Sequence, residues 1–112
     1  MSDQHTFPPS TGASNKKKAA LAPENVAAWR TFSNTVFKAG ALDEKTKQLI
    51  AVAVAHVTQC PYCIRAHTTG AMQKGASKEE IMESIWVAAE MRAGAAYAHA
   101  TIAMDEMDKF SE

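Results

Sequence analysis

The segment Leu49-Ile50-Ala51-Val52-Ala53-Val54-Ala55-His56-Val57 is apolar on almost every side when wound as a helix. Such a helix has no face for water and must be surrounded by other elements. It predicts a central buried helix in an all-α fold. A strand is the rival reading, because three valines and an isoleucine favour strands. The interleaved alanines and the helical flanks favour the helix. A chain of 112 residues makes one domain, here of about five helices. A small domain with so apolar a helix has too little surface of its own to cover it. Burial against copies of itself follows, so a homo-oligomer is expected.

Helix boundaries are punctuated along the chain. Pro23 fits the first turn of a helix running to about Lys38, with Gly40 ending it. Val26, Trp29, Phe32, Val36 and Phe37 are spaced to share its buried face. Asp43 is a candidate N-cap for the central helix, and Thr58-Gln59 is its break. The next helix spans about Pro61 to Lys74, with Gly75 as its stop. Ser77 and Glu80 make a capping box for a helix that turns Ile81, Ile85, Ala88 and Met91 to the core. Gly94 either interrupts that helix or lies within it. A final helix from about Ala95 to Lys109 carries Ala98, Ile102 and Met104. Trp29, Trp86, Met82, Met91 and Met104 sit at helical spacing and read as core.

Residues 1–20 are weakly apolar and include Pro8, Pro9, Gly12 and the run Lys16-Lys17-Lys18. They bury too little to offset their ordering entropy and read as a flexible tail or an arm over a neighbour, leaving 21–112 as the domain. Twelve basic and twelve acidic side chains balance, so there is no basic field for nucleic acid. No apolar signal segment opens the chain, and no apolar run reaches the roughly 18 residues of a membrane span. A cytoplasmic protein is expected. In a reducing compartment, two close cysteines are more often catalytic or metal-binding than a permanent crosslink.

The only two cysteines lie in Cys60-Pro61-Tyr62-Cys63. At this spacing two thiols can close a disulfide within one helical turn. Pro61 can start a helix whose N-terminal field favours a thiolate. His67 lies four residues after Cys63, on the same helix face. The helix field nominates Cys60 as nucleophile, and the histidine nominates Cys63; the residues leave both open. Two bland readings stand beside this one: buried, inert cysteines, and a metal site with His67 and His56. Redox chemistry is the stronger reading, with no cofactor and no metal. His56, one turn before Cys60, either orients a relay or is a satisfied core histidine. His99 in the last helix has the same two readings, and Tyr97 beside it reads as core.

The run His56-Val57-Thr58-Gln59-Cys60-Pro61-Tyr62-Cys63-Ile64-Arg65-Ala66-His67, followed by Gly75-Ala76-Ser77-Lys78-Glu79-Glu80-Ile81, resembles the AhpD-like branch of the carboxymuconolactone decarboxylase family. The resemblance implies an AhpD-like helical bundle that assembles as a trimer or hexamer. It implies a thiol-dependent alkylhydroperoxidase, or thiol–disulfide oxidoreductase, that is recycled by a dithiol reductant protein or a small thiol. Carried across residue by residue, Cys63 is the peroxidatic thiol, Cys60 the resolving thiol and His67 part of a proton relay. The family's relay glutamate falls on Gln48, which can hydrogen-bond but cannot carry a proton as a carboxylate does. Glu44, one turn earlier, and Glu90 are candidate substitutes. Tyr62 stands where the peroxidase branch has a histidine. Two alternatives follow: a carboxymuconolactone decarboxylase-like enzyme, whose chemistry needs no cysteine pair, and a non-enzymatic redox-sensing helical assembly module.

Overall fold

A computed structural model describes residues 7–110. Among these residues the chain forms six helices and no strand: α1 Gly12–Leu21, α2 Pro23–Phe37, α3 Glu44–Thr58, α4 Pro61–Gln73, α5 Lys78–Ala98 and α6 Ala100–Asp108. The apolar segment is the body of α3, and α3 packs along both α4 and α5. The core lies where these three meet. Val52 of α3 and Ala71 of α4 are fully buried, with Ala76 and Ile81 beside them and Leu49 and Ile85 at the margin. Small residues on facing helices let the backbones approach closely, so few side chains fill the space.

The local signals act as their chemistry dictates. Asp43 accepts the Thr46 N–H at 2.7 Å and starts α3. Ser77 and Glu80 exchange bonds of 3.0 and 2.8 Å at the start of α5. Glu80 also meets Lys45 of α3 at 3.0 Å, tying the two helices together. Gly75 takes φ +91°, a left-handed conformation open to glycine, and α4 closes there by Ala76 N–H to Ala71 and Gly75 N–H to Met72. α3 ends in the same way on Gln59 at φ 59°, with the Cys60 N–H bonded to Ala55 at 3.1 Å. A non-glycine residue in this region is mildly strained, and that strain sits directly before the first cysteine.

Several expectations are corrected. Gly94 lies inside α5, which continues to Ala98, so the final helix starts at Ala100 rather than Ala95. α2 runs to Phe37 with Lys38 as its C-cap, as expected, and Gly40 lies two residues beyond that cap. Within the stretch read as a flexible tail, Gly12–Leu21 forms α1, started by a capping box between Thr11 and Ser14. α1 buries no residue, so local hydrogen bonds rather than a core make it a helix. The rest of that stretch before Phe7 lies outside the described residues. Trp29 (64% exposed), Trp86 (68%), Phe32, Met82, Met91, Ile102 and Met104 are not core in the single chain. Tyr97, His99 and Ala98 are exposed as well. The radius of gyration is 19.2 Å, against about 13 Å for a compact chain of this length.

Candidate functional site

The left-handed turn at Gln59 releases Cys60 as the N-cap of α4, and Pro61 supplies the first turn. Cys63 then falls in that turn, and His67 one turn further along the same face. Both cysteines are free thiols, with their sulfurs 2.8 Å apart and hydrogen-bonded to each other. Cys60 Sγ also accepts the Cys63 N–H at 3.3 Å. These two bonds, and the Tyr62 N–H, hold the Cys60 thiol below its ordinary value. The hydrogen bond to Cys60, with burial and the repulsion of a charge on Cys60, pushes the Cys63 thiol up. Cys60 is therefore the more acidic of the two sulfurs, as expected of a sulfur capping a helix N-terminus.

α3 delivers the third member. Gln48 Oε1 accepts the Nδ1–H of His67 at 2.9 Å. That bond selects the tautomer whose Nε2 is unprotonated. Burial holds the imidazole below its usual value, so it is neutral at pH 7. Phe37 of α2 stacks on the same ring, with centroids 5.0 Å apart and planes 22° from parallel. Cys63, His67 and Phe37 line one cavity of about 450 Å³, walled mainly by Val36, Ile50, Val54 and Ala55, with Lys47 also on its lining. Cys60 is not among the residues facing it.

Of the residues singled out from sequence, the structure brings together Cys60, Cys63, His67 and Gln48. It does not bring Glu44 to the ring: its carboxylate pairs with Lys74 at 3.0 Å. Glu90 is exposed on α5 beside Gly94. His56 donates Nδ1–H to Val52 of its own helix at 2.7 Å and is no part of the cavity. No carboxylate lines the cavity. Among the described residues no three His, Cys, Asp or Glu side chains cluster as a metal would need. No described helix is long and apolar enough to cross a membrane.

Sequence reasoning missed two contributors. The spacing of Phe37 points only to a buried helix face, not to the histidine. Gly70, within α4, is the second: a Cβ there would lie 2.5 Å from Gln48 Oε1 and 2.8 Å from its Cδ. Any larger residue would push the amide off His67. A glycine inside an otherwise regular helix was the available signal.

Known proteins share this architecture. Protein 4 of the cox locus of Paracoccus denitrificans is 65% identical over 82 residues, covering 73% of this chain and 74% of its own. A carboxymuconolactone decarboxylase family protein from Legionella pneumophila superposes with a TM-score of 0.69 at 33% identity, covering 89% of each chain. A Thermotoga maritima protein matches with a TM-score of 0.69 at 30% identity, over 91% of this chain and 97% of its own. In a second crystal structure, matched with a TM-score of 0.55 at 28% identity over 73% of this chain and 94% of its own, that protein is described as a candidate for the antioxidative response. The model of the carboxymuconolactone decarboxylase family matches residues 23–106, and this chain belongs to that family.

Proposed function

We propose that this protein is a thiol-dependent alkylhydroperoxidase, with Cys63 as the peroxidatic thiol and Cys60 as the resolving one. One observation carries the reading: Cys63 and a neutral, tautomer-fixed His67 share an apolar cavity that Cys60 does not face. Access, not acidity, selects the nucleophile. Cys60 is the more acidic sulfur, but a substrate in the cavity meets Cys63. His67 Nε2 takes the Cys63 proton as the sulfur attacks the terminal peroxide oxygen. The O–O bond breaks, Cys63 becomes a sulfenic acid, and the alkoxide leaves as alcohol with the proton from His67. Cys60, the more acidic sulfur, gives up its proton and attacks the Cys63 sulfur, expelling hydroxide, which takes up that proton as water. The dithiol loses two electrons and the peroxide gains two. A dithiol reductant protein or a small thiol returns the disulfide to its starting state.

Gln48 supports this cycle in a reduced form. It orients His67 but cannot take the proton itself, so the proton moves only between Cys63, His67 and the leaving oxygen. The apolar walls favour an organic hydroperoxide over hydrogen peroxide. The exposed tryptophans and the extended shape support a homo-oligomer, a trimer or hexamer, with α2, α5 and α6 at the contacts. The Thermotoga relative's antioxidative description agrees with this reading.

The test is organic-hydroperoxide consumption with a dithiol donor in wild type, Cys63→Ser and Cys60→Ser. Loss in Cys63→Ser is expected, and in Cys60→Ser a mixed disulfide that a monothiol donor traps at Cys63. Equal peroxide consumption by the double serine variant defeats the proposal. Turnover of a carboxylated lactone by an alkylated protein would favour the decarboxylase alternative instead. A disulfide that no reductant turns over would leave a redox-sensing module.

A further inference from the structure

We infer that Lys47 and Phe37 are positioning residues for the site: Lys47 pins the end of α2 so that Phe37 lies flat on His67. This deepens the reading of His67 as the base and rests on it for its functional meaning. Lys47 is the neighbour of Gln48 on α3, and its ammonium donates to the carbonyls of Val36 and Lys38 at 2.8 and 2.6 Å. Those carbonyls bracket Phe37 at the end of α2, where helix carbonyls lack partners of their own. A cation at a helix C-terminus is also favoured by the helix dipole.

α2 contributes nothing to the buried cluster of Val52, Ala71, Ala76 and Ile81. With no share in that core, α2 is held by specific ties: the ammonium clamp joins its end to α3 and the aromatic stack joins it to α4. Two consecutive residues of α3 therefore hold the imidazole from two sides. Gln48 sets the ring's tautomer from its edge. Lys47, through Phe37, sets its plane and shields its face from water.

The titratable groups sharing the cavity with His67 are Cys63, from its own helix, and Lys47, from α3; Cys60 lies behind Cys63. α2 and α5 place no titratable side chain on its lining. Burial is the cause that keeps the ring neutral. The attraction of an imidazolium for a phenyl face works in the opposite direction, so loss of the stack and loss of the shield must be read separately.

The experiment is proton NMR of His67 across pH in the full chain, for wild type, Phe37→Ala, Lys47→Met and Lys47→Arg. Lys45→Met, which loses only the Glu80 pair, is the control. In wild type the His67 ring protons should show an upfield ring-current displacement. Phe37→Ala should abolish it and move the midpoint up toward the ordinary value of about 6.5. Lys47→Met should do both in part, and Lys47→Arg, which can bridge two carbonyls, should restore both. Lys45→Met should lower the melting temperature without moving the ring signals. Unchanged displacement and midpoint in Lys47→Met and Phe37→Ala would overturn the inference, whatever their stability. None of these readings needs peroxide turnover, so failure of the peroxidase reading and failure of this inference give different results.

Discussion

One continuous helix, α5, lies in two environments. Its first half carries Ile81 and Ala88 into the core beside α3. Beyond Ala88 no residue of α5 is buried, and α6 buries none at all. Yet the second half is no less apolar, with Met91, Ala95, Ala96 and Tyr97, and α6 adds Ile102, Met104 and Met107. The same chemistry is core in one place and open surface in the other. The chain's own packing is concentrated where α3, α4 and the first half of α5 meet, and the apolar surface beyond Ala88 is left open.

The contrast is broken most severely at the site. His67→Ala should cost about 10²–10⁴-fold in peroxide reduction, because a positioned general base contributes on that order. Gly70→Ala should cost on the order of 10²-fold by displacing Gln48 from the ring, as small misplacements of catalytic groups do. Stopped-flow peroxide consumption checks both, and a fully active Gly70→Ala protein would show that the Gln48 contact is dispensable.

The next effect concerns the open surface. If the proposed homo-oligomer uses this surface, Trp29→Glu with Trp86→Glu should give monomers by light scattering at micromolar concentration, where the wild type gives a larger species. A wild-type monomer under the same conditions would remove the oligomer from the account.

Stability should then separate the two regions. Val52→Ala opens a hole in a fully buried position and should cost about 2 kcal/mol in denaturant unfolding. Ile102→Ala, measured on the monomeric double-glutamate background, should stay within about 0.5 kcal/mol. Helix caps sharpen the comparison. Ser77→Ala should cost about 1 kcal/mol, because its helix belongs to the core. Thr11→Ala removes the equivalent box from α1, which buries nothing, and should leave global unfolding almost unchanged.

Acidity supplies the smallest shifts. Cys63→Ala should raise the first thiolate midpoint, followed by absorbance near 240 nm, because Cys60 loses its side-chain proton donor. Cys60→Ala should lower that of Cys63 toward an ordinary thiol. His67 has a depressed affinity for protons when folded, so the unfolded chain binds more of them. Stability should therefore be full above about pH 6.5 and fall as pH drops through that value toward the lowered folded one. His67→Gln should flatten this slope.

Much of the molecule was legible because its signals are local. The caps at Asp43 and Ser77, the stop at Gly75, and the one-turn spacing of Cys60, Cys63 and His67 each act within a few residues. Gly94 was ambiguous because a lone glycine weakens a helix without ending it. α1 escaped notice because its composition speaks to burial, and a capping box can start a helix that buries nothing.

The sequence by itself determined an all-helical chain, the reactive sulfur pair and the histidine beside it, since these follow from backbone periodicity and short-range hydrogen bonds. Only the tertiary structure decided which partner the histidine takes. Glu44 and Gln48 lie one turn apart on α3, yet the crossing of α3 over α4 at Gly70 turns the amide to the ring and leaves the carboxylate to Lys74. Packing likewise decided that Phe37 faces the imidazole and that Trp86 faces outward. Contacts between residues distant in the chain depend on how whole helices cross, and helical periodicity carries no information about that.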